Sequence, residues 1–142
     1  MSMKTIALKS LYILMPATIL LAFLWAPSAA ILGDSSRIMY FHVPLAWVSI
    51  LAFIVSGILS VAFLADKKGR FNGLDETSYN SAVIGFVFTI LTVITGSIWA
   101  KISWGVFWNW DPRETSIVIV LIIYIAYFSL QGALAGNENR GR

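Results

Sequence analysis

Long apolar runs alternate with short polar segments along the chain. Each run approaches the length of about 20 residues that an α-helix needs to cross a hydrocarbon core of roughly 30 Å. The runs predict an all-α, polytopic membrane protein in which residues 1–142 form one membrane domain. Transmembrane helices are expected at 11–30, 44–64, 81–99 and 112–134, with an external loop at 100–111.

The first run follows Lys4 and Lys9 and so resembles a signal peptide. It is longer than the roughly 7–15 apolar residues in the central region of a signal peptide. We therefore expect an uncleaved membrane anchor. Pro27 marks its expected end, after Trp25 at the membrane interface.

Pro44 bears on where the second helix begins. Proline suits the first turn of a helix and disfavours helix at the residue before it, so we expect the second span to begin at Pro44. A helix that begins at Ser36 and kinks at Pro44 is the alternative. In both cases His42 lies at the end of the span, near the membrane surface.

The start of the fourth span carries three helix-start signals. Asp111 is a good N-cap, and Pro112 suits the first helical position. Glu114 stands where the acid of a capping box belongs. We therefore expect the fourth helix to begin at Pro112, directly after the external loop.

Composition agrees with a membrane protein. Of the 142 residues, 58% are hydrophobic and 12% are charged, whereas roughly a quarter are charged in soluble chains. The chain has no cysteine, which excludes disulfides and thiolate sites. It also has no phosphate-binding glycine loop, nucleophile–base pair or carboxylate dyad, so we expect no enzyme. The net charge of +3 is spread over several segments and does not indicate a nucleic-acid partner.

The basic residues indicate orientation, because cytoplasmic segments carry the excess of lysine and arginine. Segments on the side of the N-terminus hold Lys4, Lys9, Lys67, Lys68, Arg70, Arg140 and Arg142. Segments on the other side hold only Arg37, Lys101 and Arg113. We therefore expect both termini in the cytoplasm, with His42 and the loop at 100–111 sharing the outer face.

Tryptophan is concentrated in and beside the external loop, at Trp99, Trp104, Trp108 and Trp110. One interpretation is an aromatic belt, since tryptophan is enriched at membrane interfaces. The other is a flat platform for a planar, mostly apolar ligand. Composition alone leaves both open, although four rings in twelve residues exceed what anchoring needs.

Three polar residues accompany these rings. Asp111 has a structural role as the N-cap, which is compatible with a functional one. Arg113 either pairs with Asp111 or Glu114, or meets a ligand carboxylate, which suits its planar guanidinium. His42, the only histidine, is either a hydrogen-bonding surface residue or a haem-iron ligand. Its expected position on the same face as the tryptophans favours the ligand.

The chain resembles the cytochrome c assembly family, whose hallmark is a Trp-rich external loop called the WWD domain, in the motif Trp104-Gly105-x-x-Trp108-x-Trp110-Asp111-x-Arg113. The segment from Arg37 to Trp47 resembles the one that carries the family's first external histidine. Order and spacing are more similar to the haem exporter protein C branch (CcmC-type) than to the larger CcsA-type subunits.

The resemblance implies haem handling in cytochrome c maturation at a bacterial inner membrane. Haem would be the transported ligand, bound at the outer, periplasmic face. It would then pass to a CcmE-type haem chaperone, with an ATP-binding-cassette export complex of CcmA-, CcmB- and CcmD-type subunits driving release. His42 would be the axial metal ligand, and the haem platform would comprise Trp104, Trp108, Trp110, Asp111 and Arg113.

This sequence departs from the branch in one respect. Members usually have six spans and a second ligand histidine, whereas four spans and one histidine are found here, so the second axial ligand stays open. Two other functions also stay open: a non-catalytic membrane subunit that binds a partner protein or a quinone through the aromatic loop, and a haem lyase component. The small size of the external segments makes the lyase the weaker of the two.

Overall fold

The computed structural model describes residues 3–31, 33–66, 71 and 73–134. Within them the chain forms four α-helices and one 3-10 turn, Asp34–Ile38. The helices are α1 (Met3–Leu24), α2 (Met39–Ala65), α3 (Leu74–Trp104) and α4 (Pro112–Ala133). All four are long and apolar enough to cross a membrane. The predicted fold class, an all-α polytopic membrane protein, is confirmed.

Helix α1 ends earlier than the sequence predicted, at Leu24 instead of residue 30. Helix is disfavoured just before Pro27, and the last carbonyls of any helix need partners from outside it. Arg37 supplies one partner, since its guanidinium donates to the carbonyl of Phe23. The hydroxyl of Tyr40 donates to the carbonyl of Pro27 (3.2 Å). These bonds attach the end of α1 to the start of α2.

The second helix begins at Met39, so a start at Pro44 is wrong, and the alternative of a helix that begins before Pro44 and continues through it is the closer one. Pro44 lies inside α2, near its N-terminal end. A proline there removes only one backbone hydrogen bond, which membrane helices tolerate. His42 consequently lies in the first turn of α2.

Helices α2 and α3 pack through small polar residues. Ser49 Oγ donates to the carbonyl of Gly85 (3.0 Å) and lies 2.6 Å from Thr89 Oγ1. The ring of Phe53 packs on Gly85, where an added Cβ would lie 2.5 Å from the ring. Small residues of this kind let membrane helices approach closely. A further pair, Ser56 and Ser78, continues the contact towards the C-terminal end of α2, with the two Oγ atoms 3.2 Å apart.

Aromatic rings attach α4 to this pair. Phe53 of α2 stacks on Tyr124, with ring centroids 4.0 Å apart. Phe128 makes edge contacts with Tyr79 and Phe86 of α3, with centroids 5.7 Å and 5.4 Å apart. Such pairs contribute about 0.5–1.5 kcal/mol each beyond the area they bury. Helix α4 thus contacts both α2 and α3.

Helix α3 continues to Trp104, five residues beyond its predicted end. No helix-breaking residue occurs until Gly105, which adopts the left-handed conformation (φ 82°) and ends the helix. Lys101 Nζ donates to the carbonyl of Gly105 (2.7 Å). The loop between α3 and α4 is therefore shorter than the predicted 100–111, and Trp99 and Trp104 are helical.

The orientation across the membrane stays a prediction. Five of the basic residues on which it depends lie outside the described residues: Lys67, Lys68, Arg70, Arg140 and Arg142. The first turn of α2 and the loop that ends at Asp111 nevertheless lie at the same end of the helices, where they line a common cavity. A site shared by His42 and the tryptophan loop requires only this common position, and not a particular orientation in the membrane.

Candidate functional site

The N-terminus of α4 is held by Asp111. Its Oδ1 accepts from the backbone N–H groups of Arg113 and Glu114, both at 2.9 Å. Its Oδ2 accepts from the Arg113 side chain, with Nη2 at 2.6 Å and Nε at 3.1 Å. The hydrogen bond from the Arg113 side chain, followed by that from the Glu114 backbone, lowers the pKa of the Asp111 carboxyl. The predicted N-cap is confirmed, and Arg113 is paired with it.

Glu114 does not complete the predicted capping box. Its Oε2 accepts from the backbone N–H of Asn109 (2.7 Å), two residues before the N-cap. The N–H of Asp111, which a capping box would use, instead donates to the Asn109 side chain (3.1 Å). Trp110, between them, has a positive φ of 59°, which is rare for a residue with a bulky side chain. The loop thus turns sharply into α4.

The four tryptophans form two perpendicular pairs instead of one flat surface. Trp99 and Trp104 are 4.9 Å apart between ring centroids, at 83°. Trp108 and Trp110 are 5.7 Å apart, at 85°. The Arg113 guanidinium lies 5.1 Å from the centroid of the Trp104 ring, a cation–π contact. The expectation of a flat platform is wrong, because each ring uses the edge-to-face arrangement that aromatic pairs favour.

A cavity of about 280 Å³ opens where α2, α3 and α4 meet at this end. It is lined by Met39, His42, Thr92, Val93, Gly96, Ser97, Trp99, Ala100, Trp104, Trp108, Asp111, Arg113, Glu114 and Ile117. Ligand pockets typically measure about 300–1,000 Å³, so a large ligand would be only partly enclosed. A larger groove of about 670 Å³ lies between α1 and α2, but no charged side chain or histidine lines its described part.

His42 is held against α3 by two neighbouring residues. Its Nδ1 lies 3.1 Å from the hydroxyl oxygen of Thr95. The ring packs on Gly96, where an added Cβ would lie 2.8 Å from Cε1. Since the hydrogen bond engages Nδ1, Nε2 is the ring nitrogen left for a ligand.

Two indole N–H groups at the cavity have no partner. Trp99 Nε1 and Trp108 Nε1 are buried and make no hydrogen bond within the described part of the chain. Buried indole N–H groups usually find an acceptor. Both side chains line the cavity, and their Nε1 atoms are covered by neighbouring groups.

A family model described as haem exporter protein C matches residues 2–142. The chain belongs to the haem exporter protein C family. Within the described residues, its four membrane-spanning helices make it a multi-pass member of that family. No solved structure matches the chain.

Several relatives of this haem exporter family member carry matching names. A protein of Marchantia polymorpha, named as ccmC-like, mitochondrial and of cytochrome c biosynthesis, is 41% identical over 128 residues, or 81% of this chain and 55% of that protein. The haem exporter protein C of Bradyrhizobium diazoefficiens is 36% identical over 110 residues, or 78% and 41%. That of Escherichia coli K12 is 33% identical over 120 residues, or 84% and 48%. The chain spans about half the length of these relatives.

The cavity brings together five of the six residues that the sequence singled out for haem: His42, Trp104, Trp108, Asp111 and Arg113. The sixth, Trp110, is not among the lining residues and is 67% exposed. The roles of all six as haem-binding residues, and of His42 as metal ligand, stay predictions.

Sequence reasoning missed several lining residues. Thr92, Gly96 and Ala100 are among them, and they lead at four-residue spacing to Trp104 on one face of α3. This stripe of small residues leading to a tryptophan is visible in the sequence. Met39 lies three residues before His42, on the same face of α2. The contact of His42 with Thr95 and Gly96 depends on how α2 and α3 align, which no local pattern shows.

Proposed function

We propose that this chain binds haem in the cavity beside His42 and hands it on during cytochrome c maturation. The observation that carries the proposal is that the imidazole of His42 and three indole rings line one cavity at one end of the helices. Membership of the haem exporter protein C family supports the same function.

The residues at the cavity fit haem chemically. A neutral imidazole nitrogen is a common haem-iron ligand, and Nε2 of His42 is the ring nitrogen that Thr95 does not engage. The macrocycle is planar and apolar, which suits the faces of Trp104 and Trp108. Its carboxylates need donors, and the N–H groups of Trp99 and Trp108, which lack a partner among the described residues, would serve once the rings turn to expose them. Arg113, 72% exposed in its side chain, offers a cation beside them.

Most of the affinity for haem would come from the histidine. Because the rings stand in perpendicular pairs, about two of the four can present a face to one planar ligand. Two faces of about 100 Å² each would contribute roughly 5 kcal/mol at about 25 cal/mol per Å². The loss of translational and rotational freedom costs a similar amount, at least about 4 kcal/mol. Aromatic contact alone therefore gives weak capture, and the iron–imidazole bond supplies the retention.

One axial ligand comes from this histidine. Met39 lines the same cavity, but it lies three residues from His42 on one face of α2. Two axial ligands approach the iron from opposite faces of the macrocycle. Met39 is therefore badly placed for the second position, which we assign to a group other than these two residues.

We infer the setting from the family. We place the chain in a bacterial inner membrane, with the cavity on the periplasmic face. It would work as a transport subunit without bond-making chemistry of its own. Its partners would be a CcmE-type haem chaperone and an export complex of CcmA-, CcmB- and CcmD-type subunits. The support is the haem exporter name that its relatives in Bradyrhizobium diazoefficiens and Escherichia coli carry.

Absorption spectra of the purified protein, loaded with haem and recorded with and without reductant, test the proposal. We expect a Soret band that His42→Ala weakens strongly and Trp108→Ala weakens less, because only the first removes a bond to iron. Trp47→Ala is the matched control, since Trp47 also lies in α2 but is 61% exposed and does not line the cavity. Unchanged spectra in both cavity variants would remove the site assignment. A protein that takes up no haem would favour the partner-binding alternative instead.

A further inference from the structure

The hydroxyl of Thr95 joins α2 to α3 at the candidate site. Its oxygen lies 3.1 Å from His42 Nδ1, 2.9 Å from the carbonyl of Leu91 and 3.1 Å from the carbonyl of Thr92. One oxygen thus has three neighbours but only one proton to give.

The carbonyls are the acceptors. A threonine inside a helix commonly donates to the carbonyl four residues earlier. Thr89 and Thr92 of the same helix do so, to Gly85 and Phe88, both at 2.8 Å. The Thr95–Leu91 bond follows this pattern and is shorter than the contact with His42. A carbonyl oxygen can only accept, so the Thr95 proton is committed within α3.

The His42 ring must then be the donor in the remaining contact. A neutral imidazole has one N–H and one nitrogen with a lone pair. With Nδ1–H donating to Thr95 Oγ1, the lone pair resides on Nε2, the form that binds a metal through that atom. Gly96, next in the chain, leaves the space in which the ring lies: a Cβ there would be 2.8 Å from Cε1 and 3.3 Å from Nδ1.

We propose that Thr95 is a positioning residue that holds His42 in its Nδ1–H form and so presents Nε2 to the ligand, with Gly96 providing the room for the ring. The part of this proposal that concerns haem rests on the proposed function. A second partner of this kind fixes the orientation of a ligating histidine and raises its basicity, and its loss typically costs about 10–100-fold in metal affinity.

The state of the imidazole is measurable without haem. The chain has one histidine, so protein labelled with ¹⁵N-histidine gives one pair of ring signals. At about pH 8, where imidazole is mostly neutral, we expect a protonated Nδ1 and an unprotonated Nε2. Thr95→Val keeps the size but removes the acceptor, and a mixture of the two forms is expected. A protonated Nε2 in the unchanged protein would overturn the assignment.

Haem binding tests the consequence. We expect Thr95→Val to weaken haem affinity by about 10–100-fold and to raise the reduction potential, because an imidazole without its acceptor donates less charge to iron. Thr95→Ser keeps the hydroxyl, so we expect it to keep the haem affinity and the reduction potential of the unchanged protein. Thr89→Val is the matched control: it removes a back-bonded hydroxyl from the same helix, and Ser49 keeps its bond to the Gly85 carbonyl.

The two proposals fail in different ways. Wild-type affinity and potential in Thr95→Val would overturn the positioning role while leaving haem binding in place. An unchanged protein that binds no haem would overturn the proposed function, and the ¹⁵N signals would still decide the state of His42.

Discussion

At the scale of single residues, Gly96 sets how closely the His42 ring approaches α3. The contact is with the far end of a side chain, Cε1, and not with backbone. A larger residue would therefore turn the ring aside without forcing the helices apart. Ligand binding depends on the direction of Nε2, whereas folding does not. A substitution at position 96 should therefore change ligand affinity without changing stability.

Gly96→Ala tests that separation. We expect haem affinity to fall about tenfold or more, as for other losses of ligand orientation, while the thermal unfolding temperature changes little. Gly57→Ala is the control, since nothing lies within 4 Å of a Cβ at that position. Equal haem affinity in the two variants would contradict the role of Gly96.

The candidate residues themselves were largely readable from the sequence, but their contacts were not. His42 and Trp108 stand out because single histidines and clustered tryptophans carry recognisable chemistry. Thr95 and Gly96 do not stand out, because threonine and glycine are ordinary in membrane helices. Their importance comes from a contact between residues 53 positions apart, His42 and Thr95.

At the scale of elements, the ends of the helices position the cavity. Gly105 ends α3 and Asp111 begins α4, and the short segment between them carries Trp108 and Trp110. The start of α4 was predictable, because an N-cap and a following proline act locally. The end of α3 was misplaced because the residues from Ala100 onwards were assigned to the aromatic loop, although nothing in them breaks a helix before Gly105.

The Asp111 cap makes this element sensitive to acid. Its pKa is lowered in the folded chain, first by the hydrogen bond from Arg113. Its contribution to stability is therefore present above the unfolded pKa of about 3.9 and is lost as the pH falls through the lower folded value. Asp111→Asn keeps a capping side chain but cannot titrate. We expect thermal unfolding between pH 7 and pH 3 to show a smaller acid loss in this variant, and parallel curves would contradict the role of the carboxylate.

At the scale of the whole molecule, the helices contribute unequally. Helices α2 and α3 pair closely and hold the buried residues of the apolar windows, α4 is attached through aromatic rings, and none of the windows of α1 and α4 is buried. The cavity lies where the three packed helices meet. The number of spans was predictable from hydrophobic length alone. Their arrangement was not, because hydropathy along a chain does not show which faces meet.

Orientation in the membrane is testable because the chain has no cysteine. A single cysteine introduced by Val106→Cys, in the loop before α4, should react with a membrane-impermeant maleimide added outside intact cells. One introduced by Phe71→Cys, between α2 and α3, should react only after permeabilisation. Both positions are exposed, at 44% and 66%, and the unchanged protein is the unlabelled control. The reverse pattern would place the cavity on the cytoplasmic side.

The perpendicular setting of the indole pairs has a consequence for unloading. A porphyrin gripped between parallel rings would have to slide out against a large contact area. Here little of that area is available, and on the proposed function the bonds to iron would do most of the holding. A recipient would then need to offer iron competing donors, and delivery would be a ligand exchange instead of an extraction.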